Sequence, residues 1–96
     1  MTAYVVAVRD EVTDQASMDI YRAKAGGALA GHDLTPLAAY GEVRTLEGPP
    51  VDGAVILAFP TIEEAEAWYN SPAYQEVLPH RLKGGKYRMF IIQGLG

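Results

Sequence analysis

Ala54-Val55-Ile56-Leu57-Ala58-Phe59 is an unbroken apolar run of strand length. Successive strand residues point to opposite faces, so Val55, Leu57 and Phe59 supply one apolar face and Ala54, Ile56 and Ala58 another. A sheet with one wet face would alternate apolar with polar instead. Downstream, Thr61-Ile62-Glu63-Glu64 has the form of a capping box, with the Thr61 hydroxyl aimed at the Glu64 amide. A helix follows, with Ile62, Ala65, Trp68 and Tyr69 on its apolar side and Glu63 and Glu66 toward water. Asn70 ends it. Ser71-Pro72 starts a second helical segment that buries Tyr74, Val77 and Leu78 and stops at Pro79. Lys83-Gly84-Gly85-Lys86 reads as a turn, and Tyr87 to Gln93 as a strand whose Met89/Ile91 and Phe90/Ile92 pairs are again apolar on both faces.

Upstream, Glu47-Gly48-Pro49-Pro50 and Asp52-Gly53 make a loop, preceded by a strand from Leu37 to Leu46 with Gly41 as a candidate bulge. Gly31 to Pro36 carries the turn formers that end a first helix. That helix is capped by Asp14 and runs to about Ala30 through Met18, Tyr21, Ala25 and Leu29, with Gly26 and Gly27 weakening its last turn. Ala3 to Arg9 is the first strand.

The order βαββαβ over residues 1–96 predicts one α+β domain of ferredoxin-like form, a four-stranded antiparallel sheet with helices on one face. The helices cover only that face, yet the strands are apolar on both. The economical cover is a second copy of the chain, so the expected assembly is a homodimer, a dimeric α+β barrel.

Twelve acidic and eight basic residues among 96 give a formal net charge of -4. That balance disfavours nucleic acid and anionic membranes as partners, since both are bound through clustered Lys and Arg. The absence of cysteine removes disulfides, thiolate nucleophiles and zinc-thiolate sites. The first residues carry neither a signal nor a spanning segment, so the expected location is cytoplasmic.

The run Ala67-Trp68-Tyr69-Asn70-Ser71-Pro72 with Tyr74-Gln75 after it, together with Phe59-Pro60-Thr61, resembles the family catalogued as domain of unknown function 1330. Leu46-Glu47-Gly48, Tyr21-Arg22 and Arg81 fit the same pattern, and the likeness spans the chain. What the resemblance implies is the dimeric α+β barrel, not a reaction. The chain departs from the family where His32 is followed by Asp33-Leu34, and where Asp52-Gly53-Ala54 replaces a basic entry to the third strand.

Several side chains are candidates for chemistry. His32 suits a general acid or base, since histidine as a residue type changes charge near neutral pH, although a histidine at a helix C-terminus also simply complements the dipole. Tyr21 and Arg81 are its candidate catalytic partners, the arginine as a fork for a carboxylate or enolate. Trp68, Tyr69, Tyr74 and Arg44 are candidate ligand contacts, aromatic residues with polar tips being suited to a flat or carbonyl-bearing compound. Glu42 is a weaker candidate base, since strand carboxylates are more often solvated. No phosphate loop, serine elbow or metal-ligand spacing is present, so neither a metal nor a resident cofactor is expected.

These residues fit a small-molecule-binding protein. It would be either a cofactor-independent acid–base enzyme of cyclase, isomerase, lyase or oxygenase type, acting on a small carbonyl or aromatic compound, or a non-catalytic binding or sensing module. Dimeric α+β barrels are similar in shape to polyketide cyclases and quinone-forming monooxygenases, but a shared fold does not carry an activity with it.

Overall fold

Three helices begin by one device. Asp14, Thr61 and Ser71 hold extended backbone, and each side chain accepts a hydrogen bond from the amide three residues on: Ser17, Glu64 at 3.1 Å and Tyr74 at 3.2 Å. The reciprocal Glu64 contact of a full capping box is absent among the described hydrogen bonds. Thr61→Ala should lower stability by about 1 kcal/mol in chemical denaturation. An unchanged midpoint would show that the cap contributes nothing.

The structure is a computed structural model, and it describes residues 1–95. The chain runs β1 (Ala3–Val12), α1 (Gln15–Ala25), a 3-10 turn (Gly26–Leu29), β2 (Thr35–Ala39), β3 (Gly53–Phe59), α2 (Ile62–Tyr69), α3 (Pro72–Gly84) and β4 (Gly85–Gln93). The strands form one antiparallel sheet in the order β2-β3-β1-β4, which is the ferredoxin-like α+β arrangement. Among the described residues no helix is long and apolar enough to cross a membrane.

Register assigns the faces. Val5 stands opposite Leu57 and Ile91, and Ala7 opposite Val55 and Met89. This face meets Met18 and Tyr21 of α1, Ala65 and Trp68 of α2, and Tyr74, Val77 and Leu78 of α3 in the core. On the other face Tyr4 stands opposite Ala58 and Ile92, and Val6 opposite Ile56 and Phe90. No helix covers them, and Phe90 and Ile92 remain 49% and 53% exposed.

Several boundaries differ from the sequence reading: β1 runs on to Val12, and β2 begins at Thr35, inside the expected turn. β2 stops at Ala39 rather than continuing to Leu46, because Tyr40 takes a left-handed conformation (φ 55°) and turns the chain out of the sheet. α3 passes through Pro79 to Gly84. Proline deletes one backbone hydrogen bond, that to the Gln75 carbonyl, while continuation buries Arg81 and Gly84. Arg81 is therefore inside α3, not beyond it. The expected turn at Lys83 to Lys86 does not form, and helix meets strand directly. Gly84 fits there because a Cβ would lie 2.9 Å from the Met18 amide nitrogen, and its carbonyl accepts from Thr13 at 2.8 Å. The weak last turn of the first helix is found as the 3-10 segment.

Candidate functional site

Small side chains keep part of the space between sheet and helices empty. Ala7 of β1, Ala25 and Gly26 at the end of α1, and Ala39 of β2 lie where larger residues would complete the core, and they border a cavity of about 230 Å³. Val5 and Leu57 form its floor; Tyr21, Trp68, Tyr74 and Met89 form its walls. Gly26, Pro36 and Ala39 are exposed and frame the mouth, between the 3-10 turn and the sheet's edge strand.

The wall is apolar apart from tyrosine hydroxyls and the Trp68 indole, and the hydroxyls come in two pairs. Tyr21 and Tyr74 hydroxyls are 2.9 Å apart, and those of Tyr40 and Tyr87 2.6 Å. In each pair one O–H is used on the partner and the other is left to donate elsewhere. The Tyr87 hydroxyl lies 3.6 Å from the Met18 sulfur, a weak acceptor for the second pair. Tyr21 and Tyr74 both line the cavity, and no acceptor for the second proton of their pair is found among the described residues. Burial pushes the Tyr21, Tyr40 and Tyr74 phenols up. They are neutral donors across the physiological range, not bases.

Two arginines flank the pairs: both stack on the Tyr40–Tyr87 pair, and Arg81 also meets the Tyr74 hydroxyl. Arg9 stacks 4.8 Å from the Tyr40 ring centre and forms a 2.7 Å ion pair with Asp52. Burial pulls the Arg9 guanidinium down, but bonds to Tyr87 and Asp52 outweigh it and leave the group above its ordinary value. Arg81 lies 4.9 Å from the Tyr87 ring centre. It sits on the stripe Tyr74, Val77, Leu78, Arg81, whose helical spacing puts all four on the buried side of α3. Its Nε and the Trp68 Nε1 are buried without a hydrogen-bond partner.

Of the residues singled out in the sequence, Tyr21, Tyr74 and Trp68 line this cavity together, with Arg81 beside Tyr87 and Tyr74. Three others lie elsewhere. His32 is half-buried in a separate groove with Phe59, Glu64 and Ala67, because the chain turns at Gly31 (φ 83°) and leads it away from the sheet interior. Arg44 is exposed on the irregular segment after β2, 3.4 Å from Glu42, which is exposed too. Tyr69 borders another groove, with Glu66, Phe90 and Ile91. Sequence reasoning missed Tyr40, Tyr87, Met89 and Arg9. The alternation of Tyr87, Met89 and Ile91 marked a common face, but nothing local marked Tyr40.

The sequence profile of the family described as Domain of unknown function (DUF1330) matches residues 2–95. The chain belongs to that family. No protein of curated function is significantly similar to this DUF1330 chain. Among solved structures, a protein of unknown function from Rhodopseudomonas palustris is similar at a TM-score of 0.77 and 14% identity, over 99% of this chain and 83% of that one. A dimeric protein of unknown function with a ferredoxin-like fold from Bacteroides fragilis gives 0.64 and 7%, over 97% and 96%. A cofactor-independent oxygenase from Streptomyces nogalater gives 0.58 and 9%, over 99% and 93%. At such identities the likeness is one of fold.

Proposed function

We propose that the chain is a homodimeric small-molecule-binding protein, each subunit holding a compact, mostly apolar ligand whose oxygen accepts a hydrogen bond from the Tyr21–Tyr74 pair. The observation that carries this reading is the spare O–H of that pair on the wall of an otherwise apolar cavity. Size supports it: an apolar cavity of about 150 Å³ takes up benzene, so one of about 230 Å³ suits a substituted single ring. The bare sheet face and the dimeric ferredoxin-like relative support the dimer.

Catalysis is the second reading, and a specific observation favours it. Neutral phenols held in place beside a cation stabilise an oxygen that gains charge in a transition state, as an enolate does. His32 stands outside this cavity and has no part in that arrangement. A proton acceptor would have to come from the substrate, since neither histidine nor carboxylate lines the cavity.

Trp68 is the chain's one tryptophan, so its emission reports on the site. Acetophenone should change that emission saturably and bind more tightly than ethylbenzene, which lacks the oxygen. Tyr74→Phe should weaken acetophenone by about threefold to tenfold, the worth of one neutral hydrogen bond. If neither compound perturbs Trp68 at its solubility limit, the cavity does not bind such ligands.

A further inference from the structure

Arg81 is 4% exposed, yet no ion pair among the described residues includes it. A buried guanidinium without a counter-charge is costly, and a stack on the Tyr87 ring and a contact with the Tyr74 hydroxyl offset only part of that cost. Arg9 shows the alternative within the same site: it too stacks on a tyrosine, and it has Asp52 at 2.7 Å. The cavity is thus flanked by two arginines and one carboxylate, and no acidic side chain lines it. The polar groups on its wall and just behind it, where Arg81 sits against Tyr74 and Tyr87, share one sense. The Tyr21–Tyr74 pair has an O–H to spare, the Trp68 N–H lacks an acceptor, and so does the Arg81 Nε–H. Burial without acceptors disfavours such donors until something supplies them.

We propose that the missing counter-charge is the ligand's: the site is built for a small monocarboxylate with a single-ring or similarly compact apolar body. Its carboxylate accepts from the Tyr21–Tyr74 pair and balances Arg81, and its body fills the space over Val5 and Leu57. This rests on the ligand-binding reading above and narrows it to anions. Tyr74 and Arg81 lie on one face of α3 two turns, about 10 Å, apart, and the Arg81 side chain reaches back toward the helix N-terminus to the Tyr74 hydroxyl, which sets the charge beside that donor.

Benzoate and benzamide have nearly the same shape, and both carry an acceptor oxygen. Only benzoate is charged. By Trp68 emission at neutral pH, benzoate should bind at least tenfold more tightly than benzamide. Arg81→Met should abolish that preference while retaining benzamide binding, and Arg81→Lys should keep most of it. Equal affinities in the unmodified protein, or a preference that survives Arg81→Met, overturns the proposal. Should Arg81→Met not fold, the comparison in the unmodified protein decides alone. If benzamide and acetophenone bind while benzoate does not, the anion inference falls and the ligand-binding reading stands; if none of the three binds, both fall.

Discussion

The protein is expected to sediment as a dimer at micromolar concentration, and Val6→Asp is expected to leave a monomer or an insoluble chain. Val6 lies in the middle of the bare sheet face, between Ile56 on one neighbouring strand and Phe90 on the other. A carboxylate enclosed there without a partner costs several kcal/mol, more than most interfaces can spare. The molecule is broad and flat, 33 by 33 by 17 Å, so its broad side has room for the roughly 800 Å² per partner of a standard interface. Ile20→Asp is the control. Ile20 is 40% exposed on α1, on the helical side, and the same charge there should leave the dimer intact. A monomeric unmodified protein, or a dimer indifferent to Val6→Asp, removes the argument from the bare face.

The fold was legible because its signals are local and repeat. Strand alternation and three side-chain caps lie within a few residues of the elements they define, and the order of elements then leaves few topologies. The two-sided apolar pattern of Ala54 to Phe59 showed that the helices would leave one apolar face bare, and register and packing then assigned which. The boundaries that differed were decided elsewhere in the molecule. Pro79 should end a helix on its own chemistry, but the burial of Arg81 and Gly84 beyond it offsets one lost backbone bond. Leu37 to Leu46 has strand composition, but β2 ends where Tyr40 adopts a left-handed turn that composition does not reveal.

The site was less legible, because a cavity is made by what neighbouring elements fail to fill. Tyr21 and Tyr74 are recognisable as aromatic residues on apolar helix faces, yet they are 53 positions apart, and only the packing of α1 against α3 joins their hydroxyls. Arg81 could be noticed as an arginine near the signature segment, whereas its burial depends on α3 continuing past Pro79. His32 attracted attention by its chemistry, and a change of direction at Gly31 put it in a different groove. Tyr40 and Tyr87 are 47 residues apart and meet only through sheet register.

That register makes Gly53 the most sensitive position near the cavity. Arg9 of β1 stands opposite Gly53 of β3 and Tyr87 of β4, so the three share the helix-facing side. The Tyr40 ring lies over Gly53, where a side chain's first carbon would be 2.9 Å from the Tyr40 Cδ1 and 3.2 Å from the Arg9 Nη2. The ring cannot easily withdraw. Its hydroxyl is held by Tyr87, and the strained Tyr40 backbone is held by a 2.8 Å bond from its amide to the Ala54 carbonyl. Gly53→Val should therefore lower stability by about 1–3 kcal/mol, the usual cost of overpacking. It should also displace Tyr40 from the cavity wall and weaken benzoate at least tenfold, with Gly53→Ala intermediate in both. Gly27→Ala is the comparison, since a Cβ there meets nothing within 4 Å, and it should leave both measurements nearly unchanged. If Gly53→Val retains the melting temperature and ligand affinity of the unmodified protein, Tyr40 is free to move and the wall it forms is not part of the site.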